Sequence, residues 1–220
     1  MLTVAKLHAG HEQYYKDAVA RGLDEYYAGT GELPGRWMGR GADLLGLTGE
    51  LDGDALDAIL DGRDPKTGTR LTAATPKVIG YDATFCAPKS VSLLYALGPP
   101  EIAAEVRAAH DVAVDAAFAV YESITCRVRR GHGGETVVEA DGFVAAAYQH
   151  RSSRAGDPHL HTHVLIAHPG YTARDGRWTA LDGRLLFPWS KTCGHVYEAK
   201  LRAELSRRLG IEWGPAGRRG

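Results

Sequence analysis

Apolar positions recur at helical spacing over residues 11–28, where Tyr14, Tyr15, Ala18, Val19, Leu23, Tyr26 and Tyr27 share a stripe that stops at Gly29-Thr30-Gly31. Glycine-rich text follows (Gly35-Arg-Trp-Met-Gly-Arg-Gly41), leading into short helices near 41–46 and 53–61 and a turn at Asp64-Pro65-Lys-Thr-Gly68. Residues 77–86 alternate as a strand, and Pro88 then opens a helix through about Leu97. The longest helical pattern, rich in Ala and Val, spans 100–123. Strands are expected at 124–130, 136–139, 142–150 and 160–168, with an Asp175-Gly176 hairpin turn after them and a last helix over 191–209 ending at Gly210. Strands arrive as hairpins more often than as βαβ units. The pattern therefore predicts an α+β fold, an antiparallel sheet of about five strands flanked by helices.

Composition narrows the classes without choosing one. The chain has 220 residues, 44% hydrophobic and 24% charged, ordinary values for one globular domain. Cys86, Cys126 and Cys193 are odd in number and form no CxxC pair, which argues against a disulfide framework and for a reducing compartment. No apolar run reaches membrane-spanning length and no signal-peptide core is visible, so the expected location is the cytoplasm. Net charge is −1, but residues 1–64 carry 6 Lys and Arg against 12 Asp and Glu, and residues 65–220 carry 20 against 15. That imbalance allows a basic face for a phosphodiester backbone, and a solvated surface of mixed charge explains it as well.

The chemistry concentrates in one segment, His150 followed by His159-x-His161-x-His163. Residues two apart on a strand share a face, so His161 and His163 should project together. A hairpin turning at Gly156-Asp157-Pro158 folds His150 back beside them. Three imidazoles with open coordination positions suit a catalytic metal better than a structural one. Neutral imidazoles accept several divalent ions, so Zn, Mn and Mg all stand as candidates.

Two Tyr-Tyr dipeptides, Tyr14-Tyr15 and Tyr26-Tyr27, form the second constellation. Aromatics at helical spacing usually face a core. The functional alternative is a phenol oxygen acting as a nucleophile that splits one hard step into two. Phenol ionises near pH 10, so attack at neutral pH needs a base or a nearby cation. Tyrosine beside a histidine-bound metal is coherent chemistry for phosphodiester transfer.

Taken together and in order, these pieces resemble the MobF-type conjugative relaxases. The resemblance runs from the Tyr-Tyr pairs through Gly35-Arg-Trp37-x-Gly39-x-Gly41-Ala-x-x-Leu45-Gly-Leu47, Asp82-x-Thr-Phe-x-Ala-Pro88-Lys-Ser-Val-Ser92 and His150-x10-His161-Thr-His163. It continues through Asp175-Gly-Arg-Trp178-x-Ala-Leu181-Asp and Val196-Tyr-Glu-Ala-Lys-Leu-Arg-Ala-Glu-Leu. It implies the HUH-nuclease fold and a metal-dependent transesterase that nicks single-stranded DNA at an origin of transfer through a covalent 5′-phosphotyrosine. Carried onto this chain, Tyr14 is the first nucleophile and Tyr26 the second, with Tyr15 and Tyr27 as alternates. His150, His161 and His163 bind the metal, and Asp82 assists as base or orients the metal site. His159 departs from the family's usual residue and is read as a non-ligand, with spare ligand, donor to a ligand and DNA contact left open. The resemblance also implies a single relaxase domain over 1–220 without the rest of the family's domain or a helicase. Single-stranded DNA is the expected partner, other relaxosome proteins are further candidates, and a monomer is expected.

Basic residues beside the motifs are the remaining candidates. Lys89 and Ser90 at a helix N-terminus, with Arg151 and Arg154, are read as DNA-phosphate contacts. Trp37 and Trp178 are read either as base-stacking or as packing residues. Arg127, Arg129, Arg130 and His132 form a basic strand end, and His8, His11, His110, His168 and His195 join no constellation. Two other functions remain open: a module that binds single-stranded DNA without cutting it, and a three-histidine zinc hydrolase. The hydrolase leaves the tyrosine pairs unexplained.

Overall fold

The computed structural model describes residues 1–8, 35–73, 77–153 and 155–214. Its framework is a six-stranded, wholly antiparallel sheet. The strands are β1 (Leu2–His8), β2 (Arg36–Met38), β3 (Val78–Cys86), β6 (Gly142–Ser152), β7 (Pro158–Thr172) and β8 (Arg177–Ala180). The order is β1-β3-β7-β6-β2, and β8 pairs with β7 residues 169–172, beyond the stretch 161–167 that β3 occupies. Strands β4 (Arg127–Arg130) and β5 (Thr136–Glu139) make a separate two-stranded ribbon.

The long strands bury both faces, and alternation sorts their side chains between two cores. Ala83 and Phe85 of β3, Phe143, Ala145 and Ala147 of β6, and Leu160, Val164 and Ile166 of β7 face one core. Val144, Ala146 and Tyr148 of β6 with Leu165 and Ala167 of β7 face the other. Each fully buried Val, Leu, Ile or Phe among them contributes about 1.5–3 kcal/mol of transfer free energy. The first core is roofed by α4 (Pro100–Thr125) and α5 (Leu186–Leu209), following the short α3 (Lys89–Leu97). Pro100 sits at the first turn of α4, where no amide partner is lost, and Val106, Ala109, His110, Ala113, Val114, Ala117, Phe118 and Tyr121 form its buried stripe. The second core is covered by α1 (Arg40–Leu44) and α2 (Gly53–Leu60), the latter capped by the Asp52 side chain. Gly39, at φ 90°, makes the turn between β2 and α1, and a Cβ there would lie 2.3 Å from the Phe143 carbonyl.

Six strands replace the expected five or so, and each addition has a local reason. Among the described residues β1 pairs with β3 alone, and its Leu-Thr-Val-Ala-Lys-Leu-His text carries a weak two-residue period. Strand β2 is three residues between glycines, too short to show any period. The last helix begins at Leu186, not 191, because Pro188 falls in its first turn and is tolerated there.

Candidate metal centre

Between β6 and β7 the Ser153 amide bonds to the Asp157 carbonyl and Gly156 sits at φ 80°, and the two strands pair His150 directly with His161 and Tyr148 with His163. On the other side of β7, Thr84 pairs with His163. His161 and His163 have the same parity as Leu165 and Ala167, so the imidazoles extend the face of the second core past its apolar end. Ring centroids lie 5.2 Å apart for His150–His161, 5.3 Å for His150–His163 and 5.0 Å for His161–His163.

Those spacings are the ones a shared ion requires. A zinc–nitrogen bond of about 2.0–2.1 Å puts each ring centre about 3.2 Å from the metal, and a tetrahedral angle then separates the centres by about 5.2 Å. Among the described residues no group of three or more His, Cys, Asp or Glu is placed so that it could hold a metal ion as it stands. The ring-centre spacings alone match three imidazoles around one ion, and the polar partners of the rings suit that use. His163 Nδ1 donates to the Asp82 carboxylate at 2.8 Å, and His161 Nδ1 donates to the His159 carbonyl at 2.7 Å. A proton held on Nδ1 leaves the lone pair on Nε2, the usual way an outer partner sets a ligating histidine. Burial, opposed by the His159 carbonyl and reinforced by neighbouring imidazoles, holds His161 down to about 4, so it is neutral over the physiological range.

Asp82 is buried on β3, its side chain only 8% exposed, and it also accepts from the Thr84 hydroxyl at 3.1 Å. Thr84 Oγ1 lies 3.1 Å from His163 Nδ1 as well. Thr84 therefore belongs to the same unit, and the spacing Asp82-x-Thr84 on a strand already placed the two on one face. His159 stands differently: its ring is 4.6 Å from that of His161. Its carbonyl is the group that holds His161.

The other expected residues divide. Lys89 begins α3 and is exposed, and its Nζ donates to the Pro158 carbonyl at 2.9 Å, tying the helix start to the head of β7. Ser90 is the next residue of that helix, and Arg151 is exposed one residue beyond His150. Trp37 is buried in the second core, and Trp178 packs on Tyr171 at 5.2 Å, so packing accounts for both. The basic strand end is largely neutralised, with Arg127 paired to Glu139, Arg129 to Asp182 and Arg130 to Asp175. His110 and His168 are buried and fully used: His168 Nδ1 bonds to the Ile79 carbonyl and Nε2 to Thr72, whereas His110 lies between Tyr197 and Thr162. Tyr14, Tyr15, Tyr26, Tyr27, His11 and Arg154 lie outside the described residues.

Three imidazoles and the Asp82 carboxylate thus gather on one face of an antiparallel sheet flanked by helices, the mixed fold of the relaxases. The TrwC relaxase family model matches residues 8–220. The chain belongs to that family. It is 34% identical over 231 residues to the multifunctional conjugation protein TraI of Escherichia coli, and 32% identical over 236 residues to TraI of strain K12. It spans 99% and 100% of its own length in those alignments but only 12% and 13% of the relatives. Among solved structures, the conjugative relaxase TrwC with oriT DNA in a copper-bound form aligns with a TM-score of 0.82 at 32% identity, over 96% of this chain and 72% of that one. A metal-free TrwC–oriT complex also gives 0.82, at 29% identity over 99% of this chain and 73% of that one.

Proposed function

We propose that this chain is a metal-dependent, site- and strand-specific transesterase that nicks single-stranded DNA at an origin of transfer, in conjugative plasmid mobilisation. One observation carries the reading: three imidazoles at the ring spacing of a shared ion, backed by Asp82, in a chain of the TrwC relaxase family. The structural relatives support it, being TrwC bound to oriT DNA in metal-bound and metal-free forms and to a 27-mer comprising the recognition hairpin and cleavage site.

In this reading His150, His161 and His163 hold a Zn, Mn or Mg ion, which when bound polarises the scissile phosphate and offsets its developing charge. The Tyr14 phenol oxygen attacks phosphorus, the bond from phosphorus to the 3′ oxygen breaks, and the product is a 5′-phosphotyrosyl chain and a free 3′ hydroxyl. The phenol proton is balanced by the proton gained on the 3′ oxygen, with Asp82 within the site as acceptor or as the group that orients His163. Tyr26 serves the later strand transfer, with Tyr15 and Tyr27 as alternates to the two. His159 is not a ligand in this reading; its carbonyl holds the His161 ring. Lys89, Ser90, Arg151 and Arg154 hold phosphates along the strand. No helix of the described residues is long and apolar enough to cross a membrane, which accords with a cytoplasmic location.

The test is incubation with a labelled origin oligonucleotide and a divalent metal. The expected outcome is cleavage with label on the protein, lost with a chelator. Binding without cleavage under every divalent metal marks a binding module instead, and cleavage without protein-bound label marks a hydrolase.

A further inference from the structure

Behind the histidines, on the face of the sheet that meets α4, lies a second polar cluster. Thr162, between His161 and His163 in sequence, points to that face, and Gln149, the residue before His150, is its cross-strand partner. Consecutive residues of α4 take hold of both. His110 Nε2 lies 2.8 Å from Thr162 Oγ1, and Asp111 Oδ1 accepts from Gln149 Nε2 at 2.6 Å. The other nitrogen of His110 is 2.7 Å from the Tyr197 hydroxyl of α5. The His110 branch is buried, with His110 and Tyr197 fully enclosed and Thr162 4% exposed, and the Asp111–Gln149 bond is half-buried.

This placement is unusual for a polar group. His110 occupies the apolar stripe of α4 between Ala109 and Ala113, where a leucine would pack without any hydrogen-bonding demand. Burial holds its imidazole down to about 3, so the ring stays neutral, one nitrogen donating and the other accepting. A strand fixed by backbone bonds alone can still twist about its own axis, and a twist at Thr162 swings its two flanking histidines together.

We propose that His110 and Asp111 are positioning residues that grip Thr162 and Gln149 from behind the sheet and so hold His150, His161 and His163 at the spacing a single ion needs. The inference rests on the metal-centre reading above. It assigns the clamp a role in metal affinity and site geometry that goes beyond packing.

The experiment uses the full chain and Co²⁺ as the probe, followed by its visible absorption band. The triple variant His110→Phe/Thr162→Val/Tyr197→Phe replaces every partner in the His110 chain by an apolar group of similar shape, an exchange that leaves stability nearly unchanged. The expected result is Co²⁺ binding weakened about tenfold or more with an altered band, at a Tm close to that of the parent. Thr162→Ser, which keeps the hydroxyl, should restore parental binding where Thr162→Val does not, and this pair decides the matter if the triple variant folds poorly. Parental affinity and an unchanged band in both Thr162→Val and the triple variant overturn the clamp while leaving the metal centre standing. If the parent shows no cobalt band, or His161→Ala binds cobalt equally well, the metal-centre reading falls and takes the clamp with it.

Discussion

The two faces of β7 at residues 161–163 put the same side-chain chemistry to opposite uses. On one face, Nδ1 of His161 bonds to a carbonyl and Nδ1 of His163 to a carboxylate, and the His150 ring lies 5.2 and 5.3 Å from theirs. On the other face, His110 has both nitrogens occupied inside a dry core. What separates the two sets is their place in the fold: His161 and His163 stand past the apolar end of the second core, whereas His110 is enclosed in the first with a bond at each ring nitrogen. Burial alone does not separate them, since His161 is itself 9% exposed.

The largest effect is expected at the clustered histidines. His163→Ala should lower oligonucleotide cleavage on the order of 10²–10³-fold, with the fold retained by circular dichroism. Asp82→Asn removes the carboxylate that fixes the proton on His163, and a loss of about 10–100-fold in metal affinity or cleavage is expected from titration and single-turnover kinetics. On the other face the readout is stability. His110 is held down to about 3 by burial, with the charges of His161, the amino terminus and Arg36 adding. Between pH 6.5 and 3 the unfolded chain takes up a proton that the folded chain refuses, so stability falls with pH by about 1.4 kcal/mol per unit on this count and is level above 6.5. Urea midpoints against pH should show that slope in the parent and its loss, by difference, in His110→Phe. The smallest effect is expected at His159: alanine keeps the carbonyl that holds His161, so cleavage should change by less than about threefold.

Most of the site was readable because it depends on local periods. The spacing of His161 and His163, the turn at Gly156-Asp157-Pro158 and the return of His150 all follow from strand alternation and turn chemistry. Tyr14 and Asp82 entered through family resemblance, since periodicity offered no reason to prefer them over packing or surface roles. Thr84 was within reach of the same alternation that put it beside Asp82. His110 was not legible. Its partners stand 52 and 87 residues away in sequence, and nothing local marks a histidine in an alanine-rich helix as the neighbour of Thr162. Strands β1 and β2 were missed for a related reason, as their pairing is supplied by β3 and β6 and not by a strong pattern of their own.

In the proposed reaction a tyrosine of this chain becomes covalently joined to DNA beside a histidine-held metal. Mass spectrometry of proteolytic fragments, after reaction with a single-stranded origin oligonucleotide and a divalent metal, tests it directly. The predicted result is a 5′-phosphonucleotide on the peptide carrying Tyr14, absent in Tyr14→Phe and in a chelated sample. Cleaved DNA with no modified tyrosine peptide, or the same adduct in parent and Tyr14→Phe, would contradict it.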